Sequence, residues 1–107
     1  MIRAPKHLQP STRRWWAKIA RTYELEAHHF KLLTLACEAW DRGQQAREIL
    51  EKEELIVKDR FGQARAHPAV AIERDARIAF ARLVRELGLD TEDAPEARPP
   101  RIGGQRG

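Results

Sequence analysis

The chain is poor in the residues that most chemistry needs. It has 107 residues, and among them one cysteine, one serine and six glycines. A lone Cys37 excludes an intrachain disulfide and a cysteine-based zinc site, and on an apolar helix face it reads as core. Ser11 has no base at a spacing that would activate it. The glycines at 43, 62, 88, 103, 104 and 107 form no phosphate-cradling loop ahead of a helix. Glu24 and His28 stand four apart, which is one pair and not a metal site. His67, just before Pro68, reads as a turn residue. No apolar run approaches membrane-spanning length, and MIRAPKHLQP has no apolar stretch of the signal-peptide kind. These absences predict a soluble, cytosolic protein that is not an enzyme and holds no metal or cofactor.

What the chain does have is charge and helical periodicity. It is 42% hydrophobic and 34% charged. A domain of this length covers only about 60–65% of its unfolded surface, so self-association is expected to complete the burial. The net charge of +4 is unevenly spread: residues 1–24 carry six Lys/Arg against one Glu, and residues 25–54 carry four against seven acids. A basic segment ahead of an acidic helix favours a polyanionic partner such as nucleic acid.

The clearest element is Pro68 to Gly88. Proline suits the first helical turn, and glycine suits the left-handed residue that ends a helix. Ile72, Ala76, Ala79, Leu83 and Leu87 recur at spacings of three and four and share a face, which Phe80 and Val84 widen. Before it, residues 24–54 read as one long helix. Leu25, His29, Leu32, Ala36, Ala39, Gly43, Ala46 and Leu50 form a seam fit for another helix, in the chain or in a neighbouring copy. Phe30, Leu33, Cys37 and Trp40 form a second strip. An apolar surface on two sides of Leu25–Trp40 predicts an oligomer larger than a dimer, with Leu25, Leu32, Ala36, Ala39, Trp40 and Gly43 at its contacts. The small residues among them permit close approach. Gly43 costs about 1 kcal/mol against alanine in a helix interior, which points to packing.

Residues 11–23 read as a shorter helix capped by Ser11 or Thr12. Trp15, Trp16, Ile19 and Tyr23 fall on one side, and Arg13, Arg14, Lys18 and Arg21 on the other. Two readings of the basic side compete: a solvated face above a tryptophan core, or a surface for DNA phosphates, to which Lys6 adds. Arg74 and Arg77, on the exposed side of the last helix, form an alternative surface. Between the long helices, Leu55–Lys58 and Gln63–Ala66 flank the turn Asp59-Arg60-Phe61-Gly62 and predict a small hairpin. The expected fold is mainly α: an N-terminal helix, then a long antiparallel helical hairpin with a small β-hairpin between its arms. Residues 1–89 form one domain for DNA recognition and oligomerisation. Residues 90–107, poor in apolar residues and rich in proline, glycine and charge, read as a disordered tail.

Several short segments together resemble one family. They are Pro5…Leu8 before a Trp-containing helix, the long helix, Gly62, His67-Pro68-Ala69, Glu73-Arg74-Asp75-Ala76 and Arg85-Glu86-Leu87-Gly88-Leu89. The series is similar to the small subunit of phage terminase, the DNA-packaging machine of tailed phages, over most of residues 5–89. The chain departs from that pattern at Asp90-Thr91-Glu92, where related sequences continue with a proline and a Ser-Arg pair, and at Glu53-Glu54, where a glycine is common. The resemblance implies a non-catalytic subunit in the host cytoplasm. It implies a ring-forming homo-oligomer that recognises double-stranded viral DNA and recruits or regulates the large ATPase and nuclease subunit. A small helical DNA-binding regulator and a structural adaptor are the alternatives.

Overall fold

The computed structural model describes residues 2–89. The expected tail, 90–107, lies outside the described residues. Three helices and one hairpin follow in order: α1 (Pro10–Thr22), α2 (Ala27–Lys52), β1 (Ile56–Lys58), β2 (Ala64–Ala66) and α3 (Pro68–Leu87). The mainly α fold matches the expectation.

Helix α2 lies between the other two. Against α3 it pairs Glu53 with His67, Arg47 with Glu73, Gly43 with Ala76 and Trp40 with Phe80. One residue number falls as the other rises, so the two long helices run antiparallel. Gly43 of the seam read from the sequence makes this contact: a Cβ on it would sit 3.3 Å from that of Ala76, and Ala36 and Ala46 on the same seam are buried. The second strip mostly faces the other way. Leu33 and Cys37 join Leu8, Trp16 and Leu87 in the buried core. The Trp16 ring packs 5.7 Å from Phe30, and its indole N–H donates to the Thr34 hydroxyl at 3.2 Å. Leu33 and Leu87 are fully buried. Truncating such a leucine to alanine costs about 2–5 kcal/mol, a large part of the stability of a domain this small.

Two helix starts differ from expectation, because side chains that periodicity does not flag act at both. Helix α1 begins at Pro10, and neither Ser11 nor Thr12 caps it. The buried carboxylate of Asp41, on α2, ties this end of α1 down instead, without capping it. It accepts the Gln9 backbone N–H at 2.8 Å and the Thr12 hydroxyl at 2.6 Å. Helix α2 begins at Ala27, not at 24 or 25. His29 is not a seam residue there. Its Nδ1 accepts the Glu26 backbone N–H at 2.9 Å and closes the first turn.

The hairpin has the register Ile56 to Ala66, Val57 to Arg65 and Lys58 to Ala64. Asp59 builds its turn, accepting the backbone N–H groups of Phe61 and Gln63 and the Arg65 Nε–H. Gly62 takes φ +78°, a conformation that side chains disfavour. Helix α3 has the expected bounds. His67 Nδ1 accepts the Ala69 N–H at 3.0 Å as its N-cap, and Gly88 closes it at φ +77° with its N–H bonded to the Arg85 carbonyl.

Candidate nucleic-acid interface

The N-terminal segment is irregular but fixed in place. Leu8 is 4% exposed within the core. His7 Nε2 lies 2.7 Å from Glu38 Oε2, and Gln9 is held by Asp41. These three ties to α2 lay residues 2–9 alongside α1.

The result is a shallow groove lined by Arg3, Lys6, Arg13, Arg14 and Arg21, with apolar patches from Ile2, Ala17 and Phe30. The structure thus brings together four of the five cations expected at the interface. Lys18, the fifth, is exposed on α1 but does not line the groove. Arg3 was missed, because no periodicity places a residue in an irregular segment.

Burial explains why the cations face outward. Thr12 and Trp16 occupy the buried side of α1, with Trp15 and Ile19 partly buried beside them. Arg13, Arg14, Lys18 and Arg21 then fall on the opposite arc of the 3.6-residue turn. Among the described residues, none of Arg3, Lys6, Arg13, Arg14, Lys18 and Arg21 forms an ion pair. Their charge is not cancelled by an ion pair, and all of them but Lys18 line the groove.

The alternative surface is different. Arg77 Nε lies 3.4 Å from Glu73, Arg47 lies 3.1 Å from the same carboxylate, and Arg74 Nε lies 3.3 Å from Asp75. The hydrogen bond from Arg47, with Arg77 behind it, holds the Glu73 carboxyl below its ordinary range. Arg74 and Arg77 therefore offer a polyanion less free charge than the groove does.

The residues expected at oligomer contacts are divided. Gly43 meets Ala76 of α3 within the chain, and Ala36 is buried. Leu25 and Leu32 pack partly against the core, and Ala39 is half-buried. Trp40 is 45% exposed, with its ring 5.1 Å from Phe80. Helices α1 and α3 thus cover part of the two apolar sides of α2, and Trp40 stays exposed. Other apolar residues stay exposed: Leu35, Ile49, Ile72 and Ile78 on the helices, and Leu55, Ile56 and Phe61 around the hairpin.

The core thiol is not a reactive group. Burial, with Asp41 and Glu38 nearby, pushes Cys37 up to about 12. Among the described residues no group of three or more His, Cys, Asp or Glu is placed to hold a metal ion. No described helix is long and apolar enough to cross a membrane.

Known proteins were compared with the whole chain. No curated protein and no solved structure matches it significantly. The family described as phage terminase, small subunit, matches residues 13–100, which takes in most of α1, both long helices and the hairpin. With most of its length matched, the chain belongs to the phage terminase small-subunit family.

Proposed function

We propose that this chain is the non-catalytic DNA-recognition subunit of a phage packaging machine. It assembles as a ring larger than a dimer, engages double-stranded viral DNA through the groove beside α1, and brings in the large subunit that carries the ATPase and nuclease. The reading rests on one observation above the family match: unpaired cations gather in one groove, while Arg74 and Arg77 of α3 are paired. Phosphate contacts of this kind give affinity and orientation and little sequence preference.

The assembly surface we assign extends beyond the seam. Leu35 and Ile49 are both exposed on α2, and fourteen residues of separation places them on roughly the same side of that helix. Ile72 and the hairpin residues Leu55, Ile56 and Phe61 add apolar surface. A two-stranded hairpin is marginal alone, and its exposed apolar residues suit contact with another copy. In a ring the basic groove repeats once per subunit, so weak contacts add when the geometry lets several engage.

The test is a paired charge reversal. Arg13→Glu with Arg14→Glu should abolish DNA binding and leave the native mass of the oligomer unchanged. Arg74→Glu with Arg77→Glu should leave binding close to wild type. The opposite pattern moves the interface to α3. A dimer in native mass spectrometry favours the regulator, and a monomer at micromolar concentration refutes the ring.

A further inference from the structure

Helices α1, α2 and α3 leave an open hollow of about 360 Å³ between them, lined by Trp15, Trp40 and Phe80 with Ser11 and Thr12. The Phe80 ring lies 5.1 Å from Trp40 and 6.0 Å from Trp15, so three aromatic faces converge. A polar hollow adjoins it, sharing Ser11, Thr12 and Trp40 and adding Gln44, Gln45 and Glu48. Glu48 is exposed and has no cationic partner among the described residues.

We propose that the segment Arg98-Pro99-Pro100-Arg101-Ile102 of the same chain docks in this hollow, its prolines against the aromatic rings and a flanking arginine beside Glu48. Prolines suit such a place for two reasons. Their rings pack flat on aromatic faces in the extended polyproline conformation, the mode of recognition that aromatic grooves use for proline-rich segments. They also bring no backbone N–H into an apolar hollow that would leave it unbonded. The charges match as well. Residues 25–54, which include Glu48, carry seven acids against four cations, while Arg98 and Arg101 bracket the two prolines.

The reach is sufficient. Phe80 precedes Leu89 by nine residues in the chain, a rise of about 13 Å along a helix. Pro99 follows Leu89 by ten residues, which extend to about 33 Å at most. A tether this short holds the segment at an effective concentration near millimolar, which favours the chain's own segment over a neighbour's. This goes beyond the reading of the groove as a DNA surface, and it stands or falls separately.

The experiment uses the full chain labelled with 5-fluorotryptophan, with each of the three 19F lines assigned by a Trp→Phe replacement. Pro99→Ala with Pro100→Ala should move the Trp15 and Trp40 lines and leave Trp16, which is buried and bonded to Thr34, where it was. Glu48→Lys should move the Trp15 and Trp40 lines in the same direction. If no tryptophan line responds to the proline changes, the proposal is overturned. A spin label on Gly104→Cys then separates the occupants, since Cys37 is buried and unreactive. Broadening within singly labelled chains diluted into unlabelled ones supports docking in the same chain. Broadening only between chains assigns the hollow to a neighbour's segment and overturns the proposal. A Trp40 line that moves on dissociation of the oligomer but not with the prolines assigns it to another face of a second copy, which also overturns it.

Discussion

The hydroxyl of Thr12 donates to the carboxylate of Asp41 at 2.6 Å, and both side chains are buried. The other oxygen of Asp41 accepts the Gln9 N–H. One acid on α2 therefore fixes where α1 begins and how its basic face is turned. A carboxylate at that end also suits the positive end of the α1 dipole.

Asp41→Ala should therefore lower stability by about 1–3 kcal/mol, because it leaves the buried Thr12 hydroxyl and the part-buried Gln9 N–H without their acceptor. Asp41→Asn should cost less, since one acceptor oxygen remains. Thermal unfolding reads both. DNA binding gives a sharper check, because the two effects have opposite signs. Removing a negative charge near a basic groove should strengthen binding, whereas releasing α1 should weaken it. We expect weaker binding. Tighter binding at unchanged stability would show that Asp41 does not position the helix.

Gly43 and Ala76 set the distance between α2 and α3. Alanine at 43 gains about 1 kcal/mol of helix propensity. Its Cβ would also lie 3.3 Å from that of Ala76, tight enough to push the helices apart slightly. The two effects oppose, and Gly43→Ala should change stability by less than about 1 kcal/mol. Gly43→Leu has no such offset and should destabilise by about 1–3 kcal/mol through overpacking. Chemical denaturation measures both. A Gly43→Leu protein as stable as wild type would mean that the helices are not held at this separation.

Asp59 makes the hairpin sensitive to acid. The backbone N–H of Gln63, then Arg65, hold its carboxyl below the ordinary value of 3.8. A carboxyl depressed on folding contributes its stability above the unfolded value, and loses it as pH falls through the lower folded value. The hairpin should accordingly stay intact at neutral pH and loosen only below about pH 4. Amide shifts of Phe61 and Gln63 followed in an acid titration report it. Asp59→Asn should remove the acid transition and the Arg65 pair together. A hairpin that loosens above pH 5 would need another cause.

Much of this architecture was legible because it is local. Pro68 and Gly88 bracket α3, and Gly62 marks the turn, since each acts through its own backbone angles. The seam Ala36–Gly43–Ala46 was legible as a helix contact because spacing of three and four defines a face. What spacing does not carry is the identity of the partner. The same small residues fitted an arm of the chain or a second copy, and only the fold shows that α3 meets Gly43. Asp41 was hidden for a related reason: it acts across 29 residues on a helix it does not belong to. His29 carried the spacing of the seam but serves the backbone at a helix start. Within the candidate interface, the cations of α1 were visible as a helical face, while Arg3 was not.

Arg3 supplies the last prediction. It joins the basic groove only because Leu8, His7 and Gln9 hold the irregular segment against α2. Arg3→Ala should therefore behave like Arg13→Ala, although one lies outside any helix. Each phosphate contact contributes about 0.9 to the slope of log K against log salt on double-stranded DNA. Removing either arginine should make that slope shallower by about this amount per engaged subunit, and weaken binding similarly on all sequences. Leu8→Ala tests the cause. It should loosen the segment and remove the Arg3 contribution while Arg3 itself is still present, so that adding Arg3→Ala on top changes the slope no further. Salt titrations of DNA affinity on these variants decide it. An Arg3→Ala slope equal to wild type, beside a shallower Arg13→Ala slope, would confine the interface to α1.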